Sequence, residues 1–392
     1  MAEHTTAFEL LKSFPGIIHR QPIFIADRLD VDSYHLSFLN KYGQPLDDDT
    51  EVPAFISQLN DILPSISDRQ KALLSMPESW QSTLDDSSPT SLDLIIDLNG
   101  HDLTEHIDSR FHFASHARPQ KETAPTDTLL IDIQQYDIRH LEQQLPSWRK
   151  NHQHLCAINV DDINSYTLCQ SHLLDLLQGQ FYTLPSAKEA DKILPSQQVL
   201  MELLVKLQDP HIEPEDLANT INQDVTLSYK LLRLINSAFF GLPREVSSIK
   251  HAVVMLGEKK IKTWASLLCL SGVDDKPVEL RVVAMTRARM CELLSKHYRG
   301  TPELFFATGL FSTLDALMDK PLSNLLEKLP LSTELSSALL HHTGIAGKAL
   351  NDVLNYEKGN WIAVEHSPVP SEMLSQTYLD AINWAKELNN QL

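Results

Sequence analysis

Residues 216–256 read DLANTINQDVTLSYKLLRLINSAFFGLPREVSSIKHAVVML, the best-patterned stretch of the chain. Apolar residues recur at helical spacing through LSYKLLRLI. The NSAFFG turn interrupts them, and SIKHAVVML starts a second helix that stops at Gly257, a common C-terminal cap residue. Asp224 or Thr226 is positioned to cap the first helix and Ser247 or Ser248 the second, while Pro214 suits a helical first turn. The stretch holds no metal-ligand pair, no nucleophile with its base and no phosphate-cradling loop. It is patterned to fold and present surface.

Helical periods continue on both sides, over 199–207, 279–298, 302–318, 332–342, 347–357 and 372–390, so the chain from 194 to 392 is expected to be all-α. The segment SGVDDKP (271–277) marks a weaker internal break. Before residue 186 the pattern differs. IIHRQPIFIA (17–26) and VDSYHLSFL (31–39) read as strands joined by a short turn. LDLIIDL (92–98), DTLLIDI (127–133), HLCAINVDD (154–162) and QFYTLP (180–185) follow, with helical spacing over 137–148 and 167–178. Alternation of apolar strands with helices points to a parallel sheet or barrel. Since a complete barrel typically takes ~250 residues, a truncated one is expected. The fold class is therefore α+β multidomain: a barrel over 1–185, a linker over 186–193 and a helical bundle over 194–392.

The chain has 392 residues and a formal net charge of −19, which repels a phosphate backbone. Its densest basic stretch, Glu258-Lys259-Lys260-Ile261-Lys262, reads as one solvated helix face, so no nucleic-acid partner is expected. No apolar run approaches a membrane span, and the opening MAEHTTAFELLKSF lacks the features of a secretory leader. Cys156, Cys169, Cys269 and Cys291 are far apart and read as reduced thiols. A cytoplasmic location without membrane contact is expected.

Metal ligation finds little support. His101-Asp102 follows Asn99-Gly100 on an expected turn, and His106 is five residues from His101, the wrong spacing for one helix face. His152 and His154 flank a strand entrance, and His341 and His342 are adjacent and diverge on a helix. Asp161-Asp162 closes a strand-like run, where barrel enzymes place catalytic groups, but stands alone.

These motifs carry a resemblance. LPSQQVLMELLVKLQDP, LANTINQDVTLSYKLLRLINSAFFG and SIKHAVVMLGEKKIKTWA are similar to the HDOD domain, a helical relative of HD phosphohydrolases that lacks their metal ligands. Asn236, Ser237, Leu256 and Gly257 fall on its typical positions, and ATGLFSTLDALM (307–318) resembles the GLLHDIG-type segment with Ser312 and Thr313 at the His and Asp positions. The N-terminal half resembles a degenerate EAL domain, the barrel of cyclic-di-GMP phosphodiesterases. His35 stands where that family has the glutamate of its EAL motif, and Leu130 stands at its strand lysine. Ile158 and Asn159 replace a glutamate and a lysine, with Asp161 among the altered positions. Gln178, Gly179, Tyr182 and Pro185 match the closing motif, and FHFASH (111–116) takes the place of an acidic pair.

The resemblance to bacterial EAL–HDOD signalling proteins implies a barrel without its cation cage, hence no catalytic residue, no metal and no cofactor. The expectation is a non-enzymatic regulator that binds signalling proteins, either enzymes of the cyclic-di-GMP network or response regulators. The alternative is a cyclic-di-GMP sensor that holds the dinucleotide without hydrolysis. Residual HD-type hydrolysis is disfavoured by Ser312 and Thr313, which cannot replace imidazole and carboxylate ligands.

Overall fold

The structure is a computed structural model and describes residues 7–66, 71–87, 93–98, 111–118, 125–185, 195–272 and 276–391. His101, Asp102, His106 and the expected linker 186–193 lie outside the described residues. The chain forms two compact units. One comprises residues 1–181 with 355–379, and the other 182–354 with 380–392.

The first unit is built on eight strands: β1 (Ile17–Ile25), β2 (Val31–Leu39), β3 (Lys71–Ser75), β4 (Asp93–Asp97), β5 (His112–His116), β6 (Thr128–Asp132), β7 (His154–Ile158) and β8 (Leu176–Gln178). They close into a barrel in sequence order. β1 runs antiparallel to both neighbours, and every pair from β2 to β8 is parallel. The expectation of a truncated barrel is thereby corrected: no strand is missing, and the economy lies in strand length. β3 (KALLS) and β5 (HFASH) lack the β-branched residues present in β4, β6 and β7, so neither reads as a strand in the sequence. The closing strand is also displaced, because β8 precedes the expected QFYTLP run and Phe181–Thr183 forms a 3-10 turn.

Strand alternation organises the interior. Ile23, Leu73, Ile95, Ala114, Leu130, Cys156 and Leu176, one from each strand except β2, form a buried apolar cluster in the lumen. Side chains repeat their face every second residue. The residues two positions on, Ser75, Asp97, His116, Asp132, Ile158 and Gln178, therefore form the next layer, at the C-terminal mouth. A second core lies outside the strands, where Phe14, Phe38, Phe55 and Trp80 pack mostly edge to face.

β8 reaches β1 only at Ile23–Ile25, which leaves the first half of β1 without a strand on that side. Residues 355–379 occupy this seam. Ile18 N donates to Ser375 Oγ at 3.0 Å, Tyr356 Oη donates to the Ile18 carbonyl at 2.7 Å, and Tyr378 Oη donates to the Arg20 carbonyl at 2.9 Å. His19 Nε2 donates to the Glu357 carbonyl at 3.1 Å. Side-chain hydroxyls thus satisfy backbone groups that a ninth strand would otherwise pair.

The second unit is helical. Pro195–Gln208, Pro214–Asn222, Val225–Ile235, Ile249–Leu256 and Glu258–Ser271 precede the long helix Val278–Tyr298. Asp224 caps the third of these through Leu227 N at 2.9 Å, and Ser248 caps the fourth through His251 N at 3.2 Å. The helix expected over 302–318 is broken into Pro302–Phe311 and Leu314–Met318. Gly309 permits its first half to press on the long helix, since a Cβ there would stand 2.3 Å from the Arg287 carbonyl oxygen.

Candidate functional site

The barrel mouth gathers ionisable side chains into one hydrogen-bonded network. His35 Nδ1 lies 3.2 Å from Gln178 Oε1, and His35 Nε2 lies 2.6 Å from Ser75 Oγ. Ser75 Oγ donates to Asp97 Oδ2 at 2.6 Å. His116 Nε2 lies 3.1 Å from Asp97 Oδ1 and 3.2 Å from Oδ2. Gln178 Nε2 donates to Gln21 Oε1 at 2.5 Å. Five strands, β1 to β5, are thus tied to β8 through their inward-facing polar groups.

The carboxylate sets the charge of this network. Burial opposes ionisation of Asp97, but the hydrogen bond and charge of His116, with His35 and Ser75, hold its carboxyl below the ordinary range. Burial also opposes protonation of His116, and here the hydrogen bond and charge of Asp97 prevail and raise it. For His35 burial wins and lowers it, despite the charge of Asp97 and the Gln178 hydrogen bond. The mouth therefore holds one imidazole biased toward the cation and one biased toward neutrality. A neutral His35 with its proton on Nδ1 donates to Gln178 Oε1, and Nε2 is then free to accept from Ser37 Oγ at 3.3 Å while Ser75 donates to Asp97.

The structure brings together only some of the sequence-derived positions. His35 and Gln178 share the network. Leu130 lies one layer below it in the apolar lumen, and Ile158 packs partly buried against that lumen. Asp132, not Leu130, is the β6 residue at the mouth, and it accepts from Gln134 N at 3.1 Å and Gln135 Nε2 at 2.8 Å. Asn159 adopts a left-handed backbone, φ 59°, and its carbonyl accepts from Gln134 Nε2. Asp161 accepts from Gln180 N at 2.9 Å, which anchors the loop after β8. Asp162 caps the helix Ile163–Ser171. Ser75, Asp97 and His116 are the residues the sequence reading missed. Their signal is position, because each is the last residue of a parallel barrel strand, where barrel enzymes place chemistry.

The positions in the helical unit do backbone work. Asn236 Oδ1 accepts from Val246 N at 2.7 Å and Asn236 Nδ2 donates to the Val246 carbonyl at 2.9 Å, closing the turn between two helices. Ser237 Oγ donates to the Leu234 carbonyl at 2.7 Å. Leu256 ends its helix, and Gly257, with φ 85°, joins it to the next. Ser312 Oγ and Thr313 Oγ1 donate to the carbonyls of Gly309 and Leu310, at 2.7 and 2.9 Å.

Among the described residues no group of three or more His, Cys, Asp or Glu side chains is placed to hold a metal ion. At the mouth Asp97 commits its oxygens to Ser75 and His116, while His35 commits its nitrogens to Ser75 and Gln178. Among the described residues, these committed groups leave no ligand set for the divalent cations that intact EAL phosphodiesterases use. No described helix is long and apolar enough to cross a membrane.

The architecture is an eight-stranded barrel joined to a helical region, and residues 193–329 of that region match the HDOD domain family. The chain is 31% identical over 219 residues to the cyclic di-GMP phosphodiesterase CdgJ of Vibrio cholerae, covering 54% of this chain and 51% of that protein. It is 28% identical over 239 residues to the uncharacterized protein YuxH of Bacillus subtilis, covering 59% of this chain and 58% of that one. A solved HDOD domain protein of unknown function from Geobacter sulfurreducens aligns with a TM-score of 0.33 at 15% identity, over 51% of this chain and 90% of that one. The chain thus spans between half and three fifths of the length of these two curated relatives. The first relative corrects the expectation that the chain is not an enzyme, since a protein sharing this much sequence is named for a phosphodiesterase activity. The expectation rested on the altered EAL and HD positions alone.

Proposed function

We propose that the chain is a cyclic-di-GMP signalling enzyme of the EAL–HDOD type, in which the barrel mouth opens the phosphodiester ring of the dinucleotide. The observation that carries this reading is the convergence of His35, Ser75, Asp97, His116 and Gln178 at the C-terminal ends of the barrel strands. Hydrolysis adds water across a P–O bond and needs charge compensation at phosphate and a proton for the departing ribose oxygen. An imidazole held toward its cation by a buried carboxylate is suited to both tasks. The name of the Vibrio cholerae relative supports the substrate. The HDOD unit supplies the partner surface in this reading, toward enzymes of the cyclic-di-GMP network or response regulators.

The test is incubation of the purified full chain with cyclic-di-GMP, with products resolved by chromatography. A linear dinucleotide that accumulates with the parent chain and not with Asp97→Asn is the expected result. Absence of any product across pH and added metals would remove the enzymatic reading.

A further inference from the structure

We propose that the mouth recognises the phosphodiester with protein-borne cations, His116 backed by Asp97 and accompanied by Arg118, in place of a divalent ion. The proposal rests on the reading of the mouth as the cyclic-di-GMP site and specifies how that site handles charge. A phosphodiester brings negative charge to a mouth whose described residues offer no carboxylate cage for a metal. The compensating charge must then come from the chain, and among the strand-end residues of the mouth ring His116 is the group that can carry it.

The geometry gives His116 this role. Asp97 is 3% exposed and lies within hydrogen-bond distance of Nε2 through both oxygens, which fixes the ring from behind. The His116 side chain keeps 34% of its surface exposed, so a bound anion can reach it. Arg118 follows two residues on, exposed, and its charge reaches His116. Asp97 on β4 and Asp132 on β6 favour protonation of His116, while Arg118 and its own burial oppose it. His35 on β2 faces the same carboxylate and is driven toward neutrality by burial. The Asp132 oxygens accept from Gln134 N and Gln135 Nε2.

An anion that binds protonated His116 is bound best below the pKa of that ring, and the affinity is lost as pH rises through it. The experiment is calorimetric titration of the full chain with cyclic-di-GMP in the presence of EDTA, at about pH 6 and about pH 8.5. Binding in chelator that weakens by about tenfold at the higher pH is expected, the size of one unit of linked titration. His116→Gln is expected to bind weakly and without pH dependence, and Asp97→Asn to move the fall to lower pH. Circular dichroism establishes that both variants are folded, and Arg118→Gln, on an exposed side chain, gives a second and smaller loss. Binding that appears only with added Mg²⁺ or Mn²⁺, affinity flat with pH, or parent-like binding by His116→Gln would each overturn the proposal while leaving the cyclic-di-GMP reading standing. No binding under any condition would overturn both.

Discussion

The barrel mouth and the turn at Ser312–Thr313 are the two places where the sequence resemblance expects metal ligands to have been lost, and their polar groups are arranged in opposite ways. At the mouth, histidines, an aspartate and a serine bond to one another across strands. At the helical turn, two hydroxyls bond to carbonyls three residues earlier in their own helix. The first arrangement keeps charge available to something that enters the barrel. The second spends its polar atoms on local backbone. Loss of one set of ligands therefore does not predict what replaces them, and under the proposed function the chemistry is assigned to the barrel.

Four experiments bear on that contrast. The largest effect is expected from Asp97→Ala, which removes the buried anion from beneath His116. Truncating one partner of such a buried pair costs about 2–5 kcal/mol, less here because His116 is one-third exposed. Chemical denaturation should show destabilisation, and turnover of cyclic-di-GMP should fall with it; a variant as stable and active as the parent would erase the distinction drawn for the mouth.

Acidification comes next. Burial lowers the pKa of His19 from 6.5 to about 4, against the help of the Glu357 carbonyl. The unfolded chain therefore binds a proton that the folded barrel refuses. Stability is whole above the unfolded value and is lost as pH falls toward about 4, by roughly 3 kcal/mol. Thermal melts at stepped pH should show the barrel unit weakening across this window, and His19→Phe should flatten the dependence.

In the helical unit, Asn236→Ala leaves Val246 without partners for either backbone group, a loss of about 1–3 kcal/mol. Denaturation should register that loss while dinucleotide turnover by folded protein stays at the parent level. A turnover defect in fully folded Asn236→Ala would break the assignment of chemistry to the barrel alone. The smallest effect is expected from Ser312→Ala, below about 1 kcal/mol, with turnover unaltered. If Ser312→Ala abolished activity, the helical turn would be a working site after all.

How much of this could be read from the sequence depends on residue spacing. The strands at 17–25 and 31–39 announce themselves by length, and the caps Asp224 and Ser248 by their positions before apolar runs. Most of the helical unit is legible for the same reason. β3 and β5 are no shorter than β4, β6 and β7, but neither contains the isoleucine that marks those three as strands, so Ser75 and His116 have no strand to end. Asp97 lies inside a recognised strand run, yet it gains meaning only when barrel closure brings β5 alongside. His35 and Gln178 were singled out by resemblance, but their meeting across the lumen follows from a closed sheet, which local patterning does not encode.

The seam along β1 has a consequence for how the molecule comes into being. Tyr356, Ser375 and Tyr378 are made more than 330 residues after Ile18 and Arg20, with which they pair. The nascent barrel must wait through synthesis of nearly the whole helical unit with part of β1 unpaired. Such an edge can recruit another strand, and contacts so distant along the chain form slowly. A chain cut before residue 355 would leave the first half of β1 without these partners, a sticky ribbon instead of a finished barrel.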